Sequence, residues 1–505
     1  MKTPILGAAY VARSVNAAAN RCVNLFPEVV PEGGKEPAFL QRCPGLELTA
    51  IVGTGPIRGM WKFGDFLYVA SGGKLYRVDG NYAITELGLI NGSGPVSMAD
   101  NGVQLFVACN PDAFIYNANT GVFAQVTDPD FPGAVSVGYL DSYFVFNEPN
   151  SQRVWVTSLL NGLAVDPLDF ASAEGNPDDI VSLIVDHREV WLFGNNTIEV
   201  WYNAGLADFP LARIEGAFME TGCLAPYSVA KLDNSVFWLG SDARGNGIVY
   251  RNQGYNGQRI STHAVEWQIQ QYAVLNDAIG YSYQQDGHSF YVLVFPTAQA
   301  TWVFDVSTGL WHERAYWDGV QYRRHRSNCQ ANFNGRVLVG DWENGFIYAF
   351  SQDTYNDNGQ AQRWLRSWRA LPTGQNTLKR TAHHTLQLDC ESGVGAGTVS
   401  TFFLLTENSV NLTTESGDPL VTSLISLTDG ANPQVMLRWS DDGGHTWSNE
   451  HWAGMGKVGE YGKRVIWRRL GMTTKLRDRV YEISGSDPVK IAIMGAELSA
   501  TPTSA

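Results

Sequence analysis

Gly64-Asp65-Phe66-Leu67-Tyr68-Val69-Ala70-Ser71-Gly72-Gly73-Lys74-Leu75-Tyr76 reads as a polar turn, an aromatic-rich strand, a second turn and another apolar strand. The same phrase occurs seven times in all, its copies starting near Gly64, Gly102, Asp141, His187, Asn234, Gly287 and Gly335. Three apolar residues follow each turn: Leu67-Tyr68-Val69, Leu105-Phe106-Val107, Phe144-Val145-Phe146, Val190-Trp191-Leu192, Val236-Phe237-Trp238, Phe290-Tyr291-Val292 and Val337-Leu338-Val339. A partner strand then ends at Tyr76, Tyr116, Trp155, Trp201, Tyr250, Phe304 or Tyr348. Two strands visible per period of about 38 to 53 residues is the pattern of a β-propeller, here of about seven blades. Such a fold is a stiff scaffold and excludes most enzyme architectures.

The whole chain supports an all-β reading. Its 505 residues allow two or three domains, and 44% hydrophobic residues is ample for packed cores. The 52 glycines supply positive-φ turns, while Trp, Tyr and Phe suit pleated surfaces. A formal charge of −14 makes the chain a poor general binder of duplex DNA, whose affinity comes from neutralising phosphates with Lys and Arg. An acidic protein can nonetheless line a passage through which DNA slides. Cys22, Cys43, Cys109, Cys223, Cys329 and Cys390 are scattered, with no C-x-x-C pair, and read as free thiols in a reducing compartment. No apolar run approaches the roughly 18 residues of a membrane helix. At the start, Arg13 interrupts a short alanine-rich stretch, so the chain is expected to begin as folded or arm-like structure in a cytoplasm rather than with a signal peptide.

Three regions are expected. Residues 1–55, broken by Pro27, Pro31, Gly33, Gly34, Pro37, Pro44 and Gly45, form an N-terminal arm and propeller-closing segment. Residues 56–360 form the propeller, one of whose blades can be completed by a strand from residues 20–55. The polar stretch Tyr355-Asn356-Asp357-Asn358-Gly359 marks a hinge, and 361–505 form a C-terminal β-sandwich or β-barrel-like domain. There Thr385-Leu386-Gln387-Leu388-Asp389 alternates as a half-buried strand does, and Val435–Ser440 and Ile491–Met494 do so less strictly.

The sharpest local motif is Ser440-Asp441-Asp442-Gly443-Gly444-His445-Thr446-Trp447. It resembles the Asp-box of sialidases, in which Ser440, Asp442, Gly444, Thr446 and Trp447 hold a turn: the carboxylate accepts backbone N–H groups and the Trp packs beneath. There is one such box, it lies outside the repeats, and a sialidase also needs an arginine cluster and a Tyr–Glu pair. The reading is structural. Tyr322-Arg323-Arg324-His325-Arg326 is a basic run, read as a solvated loop between the sixth and seventh repeats. From Lys457 to Arg479 eight basic residues face only Glu460 and Asp478. Neighbours on a strand point to opposite faces, so this segment is not expected to bury a purely apolar face. Lys463, Arg464, Arg468, Arg469, Arg477 and Arg479 are candidates for contact with an acidic subunit or partner, weighed against an ordinary solvated strand pair. His383 and His384 would point oppositely on a strand, so no metal site is expected. No phosphate loop or G-x-S-x-G elbow is present, and no catalytic residue or cofactor is assigned.

Several stretches, in order, carry a family likeness. Val23-Asn24-Leu25-Phe26-Pro27-Glu28, Cys43-Pro44-Gly45-Leu46, Pro56-Ile57-Arg58-Gly59-Met60 and Gly73-Lys74-Leu75-Tyr76 stand near the start. Phe193-Gly194-Asn195-Asn196-Thr197-Ile198-Glu199-Val200-Trp201 lies in the middle, and Lys463-Arg464-Val465-Ile466-Trp467-Arg468-Arg469-Leu470-Gly471 near the end. In these the chain resembles the packaged-DNA stabilisation proteins, or tail hub (tail accessory) proteins, of short-tailed bacteriophages, the podoviruses. The resemblance implies a structural virion protein and not an enzyme. It implies a ring, usually a homohexamer, below the portal and its adaptor ring, extending the DNA channel and retaining packaged DNA until ejection. It also implies neighbouring tail needle, fibre or spike proteins, DNA that passes without specific binding, and a site of action in the virion tail after assembly in the host cytoplasm. The alternative is a glycan-binding or glycan-cleaving, sialidase-like propeller.

Overall fold

The computed structural model describes residues 1–505 except 31, 174, 207–208, 244, 372–378, 396–397, 404–420, 427–429, 475–478 and 504–505, and of 398–403 and 421–426 it describes the backbone. The chain divides into two compact units, Leu46–Ser351 and the pairing of Met1–Gly45 with Gln352–Ala505.

The first unit is a propeller of seven antiparallel blades among the described residues. Blade 3 shows the plan: Val137–Leu140 innermost, then Tyr143–Asn147, Arg153–Val156 and Phe170–Ser172, each paired with the next. The repeated sequence phrase is the second and third strand of every blade. Its turn residue joins the first strand to the second, and in all seven copies it has positive φ: Gly64 59°, Gly102 84°, Asp141 44°, His187 48°, Asn234 55°, Gly287 81° and Gly335 71°. Tight hairpins of this hand need left-handed residues, which Gly, Asn and Asp supply most readily. The innermost strand of blade 5 is split into Gly222–Cys223 and Ala230–Leu232, with a 3₁₀ turn Pro226–Ser228 between. Blade 7 takes its first three strands from Ser327–Phe333, Arg336–Asp341 and Phe346–Ser351. Its fourth is Gly45–Ile51, from the other end of the repeat array.

Between blades the second and third strands pack apolar faces. Phe106 of blade 2 lies 5.4 Å from Phe144 and 6.0 Å from Phe146 of blade 3, in a cluster with Ile115, Val137 and Trp155. Equivalent clusters join blades 7 and 1, 1 and 2, 3 and 4, and 4 and 5. The innermost strands approach so closely that side chains are excluded at set points. A Cβ on Gly280 would lie 2.2 Å from Ser228 O, and one on Gly138 2.5 Å from Val185 Cγ2.

The second unit is a sandwich. One sheet runs Cys22–Val23, Trp364–Arg369, Val480–Gly485, Gln434–Ser440, His451–Gly454, and the other Leu25–Val29, Ala38–Arg42, Ala492–Pro502, Thr381–Cys390, Val465–Met472. Trp364, Trp368, Tyr481, Leu386 and Leu498 are buried in it. On one side the chain itself crosses between sheets at Asn24, whose φ is 54°. On the other, Trp467 Nε1 donates to His451 O at 2.9 Å. His383 Nδ1 and Tyr481 OH, 2.8 Å apart, join the sheets within, while His384 is exposed beside Thr501, so the two histidines do point oppositely.

The N-terminal segment differs from the expected arm. Residues 1–42 belong to the sandwich unit, and Gly45–Ile51 alone of the first 55 residues pairs in the propeller. Thr3 N donates to Ala496 O at 2.9 Å, and Arg366 donates to Ile5 O at 2.6 Å and Ala8 O at 3.2 Å, pinning the start of the chain. Pro27 lies inside the short strand Leu25–Val29 and Gly45 opens Gly45–Ile51, while carbonyls of the irregular chain ahead of them are satisfied by the buried Arg366. The basic run at 322–326 is likewise not a solvated loop. Arg324 and His325 are buried, Arg324 lies 4.2 Å over the Trp342 ring, Arg323 pairs with Asp318, and Arg326 pairs with Glu343. All six cysteines are free thiols.

Gly280→Ala places a methyl against a backbone oxygen that cannot withdraw, an overpacking cost of roughly 1–3 kcal/mol. Gly73→Ala, whose nearest neighbour would be 3.7 Å away, is the control. Denaturant unfolding of the propeller should show a lower midpoint for the first and little change for the second.

Candidate functional site

The innermost strands surround a cavity of about 930 Å³ on the propeller axis, lined by residues from all seven blades. Each junction between blades is bridged there by a hydrogen bond. Val96 N donates to Arg58 O (3.1 Å), Val137 N to Ser97 Oγ (3.1 Å), Leu183 N to Ser136 Oγ (2.8 Å), and Ser182 Oγ to Pro226 O (2.7 Å). Ser282 Oγ donates to Lys231 O (2.5 Å), Tyr281 OH meets Ser327 Oγ (2.5 Å), and Asn328 Nδ2 donates to Ile57 O (2.9 Å), which closes the circle. The buried Arg58 adds bonds to the carbonyls of Gly72, Asn91 and Gly94. Burial pushes the Tyr227 hydroxyl up to about 12, and likewise the Cys109 and Cys329 thiols. These groups stay neutral at ordinary pH and are suited to packing rather than nucleophilic attack. Charged groups at the cavity are largely paired, Arg188 with Asp141 at 2.8 Å and His187 with Asp186 at 2.7 Å. Among the described residues no three His, Cys, Asp or Glu side chains are placed to hold a metal. A volume of this order suits a small molecule rather than a nucleic-acid duplex, and seven of the hydrogen bonds along its wall hold blade to blade.

The basic candidates divide. Lys463 and Arg464 are exposed just before the edge strand Val465–Met472, Arg464 donating to Gln387. Arg468 and Arg469 are both exposed, although they are neighbours. A bulge explains this: Arg469 has φ 58°, and two residues oppose one between the pairs Arg468–Thr385 and Gly471–His383. The same bulge lets Val465, Trp467 and Leu470 all turn inward, so the strand does bury an apolar face, against expectation. Arg477 lies outside the described residues. Arg479 is a correction. Its side chain is 1% exposed and cannot meet a partner. It donates to both oxygens of Asp441 (2.6 and 2.8 Å) and to the carbonyls of Leu470 (2.6 Å) and Met472 (3.3 Å).

The Asp-box is a closed turn. Ser440 Oγ donates to Asp442 Oδ1 at 2.6 Å, and Asp442 in turn accepts from His445 N, Thr446 N and Thr446 Oγ1 at 2.6–3.0 Å. The Ser440 hydroxyl, the Thr446 hydroxyl and the backbone amides hold its carboxyl well below the usual range. Gly443 and Gly444 have φ 80° and 108°, and the Arg438 guanidinium lies 4.8 Å over Trp447. Through Asp441 and Arg479 this turn braces the strand that carries Arg468 and Arg469. Its polar groups are used internally.

Charge is unevenly shared. The propeller unit holds 31 acidic and 16 basic residues, a formal −15, while the sandwich unit holds 19 and 20, a formal +1. Sequence reading missed two exposed apolar groups: Trp452 at 61%, and Leu159, Leu160 and Leu168 at 61, 56 and 76%. The leucines stand in a connection with no strand pattern, which was the available signal.

Comparison with known proteins agrees with this architecture. A family model described as bacteriophage P22 Gp10, beta-propeller, matches residues 1–355, and one described as bacteriophage P22 Gp10, beta-sandwich, matches residues 404–501. The chain belongs to the bacteriophage P22 Gp10 family. Like the Gp10 family it is a structural tail protein of a podovirus, a component of the virion that stabilises packaged DNA. No curated protein matches the chain. Similar solved structures include the computationally designed Ika8 protein (14% identity, 61% of this chain and 100% of that one, TM-score 0.38). A streptogramin B lyase (10%, 65% and 97%, TM-score 0.38) and a chain of the mitotic checkpoint complex (11%, 61% and 92%, TM-score 0.38) are further examples, all too distant to bear on function.

Two outcomes follow from the Gp10 sandwich. Arg479→Met leaves Asp441 without its partner and should destabilise the unit by roughly 3 kcal/mol, while Arg468→Ala should stay within about 0.5 kcal/mol; chemical denaturation compares them. Asp442→Asn should lower the thermal midpoint at pH 7. A carboxyl depressed in the folded state stabilises above its unfolded value of about 3.9, and that contribution is lost as pH falls toward the folded value. The gap between wild type and variant should therefore narrow by pH 3.

Proposed function

We propose that the chain is a subunit of a ring-shaped tail hub, a homohexamer, that docks below the portal–adaptor ring, extends the DNA channel and helps retain packaged DNA. The observation that carries the reading is the match of both units, in order, to the Gp10 propeller and sandwich families. Physical features support it. A propeller closed by a hydrogen bond at every blade junction is a rigid block, and rigidity suits a part that must hold pressurised DNA behind it. A unit of formal charge −15 repels phosphate, as a wall past which DNA slides should. The DNA channel in this reading runs through the assembled ring and not along the propeller axis, whose cavity of about 930 Å³ is walled by bonded side chains.

The sandwich edge with Lys463, Arg464, Arg468 and Arg469 supplies the contact to a neighbouring subunit, and the portal–adaptor ring and needle, fibre or spike proteins are the remaining partners. Assembly takes place in the host cytoplasm and the finished protein resides in the virion tail.

Packaged particles assembled without this chain should leak DNA and become nuclease-sensitive, and added purified chain should restore retention. Light scattering of the chain mixed with portal–adaptor complex should show about six copies bound. Particles that keep their DNA without it, together with no binding to the complex, would refute the reading.

A further inference from the structure

Two exposed surfaces have no task in the fold of their own unit. On the propeller, the connection 157–169 of blade 3 is firmly held. Gly162 N donates to Gln104 Oε1 of blade 2 at 2.9 Å, Leu160 N to Ser142 O at 2.9 Å, and Val165 N to Asp128 Oδ2 at 3.3 Å. A Cβ on Gly162 would lie 2.5 Å from Ile115 Cδ1, so the connection is pressed flat on the blades. Yet it holds Leu159, Leu160 and Leu168 out to solvent. Asp128, Asp130, Asp166 and Asp169 stand in the same connection and the one it is bonded to, and none pairs with a cation among the described residues. The surroundings add to that sign: residues 97–219 carry sixteen acidic residues against three arginines. Apolar centre and acidic border together have the anatomy of an interface.

On the sandwich, the edge strands His451–Gly454 and Val465–Met472 lie side by side, joined by the Trp467–His451 bond. The first exposes Trp452 (61%) and the second Met472 (44%), Arg468 and Arg469, and neither arginine has a carboxylate partner among the described residues. Charges and a bulge alone would serve to protect an open sheet edge. They do not account for an exposed tryptophan, and Trp, Arg and Met are the side chains that interface centres favour.

We propose that these surfaces are the two halves of one head-to-tail contact between copies of this chain, the sandwich edge of one copy seating Trp452, Arg468 and Arg469 on the leucine and aspartate surface of blade 3 of the next. Like surfaces repel, acid against acid and base against base, so the pairing is heterologous. A heterologous contact needs two different patches on every subunit, and it makes a ring where the rotation from copy to copy closes. This rests on the assembly reading above and adds to it the residues on both sides.

Charge reversal tests it on the full chain. R468E/R469E removes one half and D166R/D169R the other. All four residues are exposed or half-buried, so thermal midpoints should stay near wild type and show that each variant folds. Each variant alone should self-associate at least about 100-fold more weakly than wild type, since like charges then face each other. Mixed together, native half meets native half and reversed half meets reversed half at alternating contacts, so the two variants should form rings that contain both. A chain carrying all four reversals should form rings again. Light scattering and negative-stain images, with and without portal–adaptor complex, read the outcome. Rings that survive both variants overturn this contact and leave the hub reading standing. Variants that lose the portal–adaptor complex while still self-associating assign the surfaces to another virion protein and overturn it too. A wild-type chain that stays monomeric in both conditions overturns this contact and the hub reading together.

Discussion

The propeller depends on a closed circle of innermost strands. Seven blades each bury aromatic faces against the next, but an array of sheets with two free ends would fray. The circle closes because Gly45–Ile51 completes blade 7 and because Asn328 bonds to Ile57 across the last junction. Every other junction repeats the device with a serine, a tyrosine or a backbone amide. Glycines such as Gly138 and Gly280 follow from the same constraint, for the strands converge until no side chain fits between them. Closure ties the blades into one ring and lines the axial cavity with groups that bond from blade to blade.

The sandwich solves a different problem with buried cations. Arg42, Arg366 and Arg479 are each almost fully buried, the first two donating to backbone carbonyls of irregular segments and Arg479 to carbonyls at the bulged end of strand Val465–Met472. Arg42 reaches the carbonyls of Asp487 and Val489, and Arg366 those of Ile5 and Ala8. A guanidinium has five donors in a fixed fork and can satisfy several carbonyls that no ladder reaches. Burying one is costly unless those bonds are made. The Asp-box belongs to this system, since Asp441 neutralises Arg479 while Asp442 holds the turn.

Much of this was legible in the sequence, and the limits have physical causes. The second and third strands of each blade are apolar on both faces, and a left-handed residue precedes each, so all seven hairpins could be read. The innermost strands could not. Val137-Gly138-Tyr139-Leu140 is short and faces a polar axis on one side, and like Ile57–Phe63 and Ile279–Gln285 it carries glycine where a strand pattern wants a side chain. The N-terminal strands hid for another reason: Leu25–Val29 contains Pro27, and its partner Ala38–Arg42 finds its own second partner only at Ala492–Pro502, at the far end of the chain. Arg479 was misread because charge density ranks every arginine alike, whereas burial beside Asp441 and two carbonyls turns this one inward. Arg468 and Arg469 share a face only because of a bulge that no alternation rule foresees. The exposed leucines of 157–169 lie in a stretch without alternation, so no periodicity marks which of them face solvent.

Hydrogen exchange of the backbone amides, in the free chain and in the assembled tail, tests the central claim most directly. A closed circle of blades predicts that innermost-strand amides such as those of Val137–Leu140 and Ile279–Gln285 exchange slowly in both states. All protection gained on assembly should then fall away from the axis. Rapid exchange of those strands in the free chain, or new protection at the axis on assembly, would contradict it.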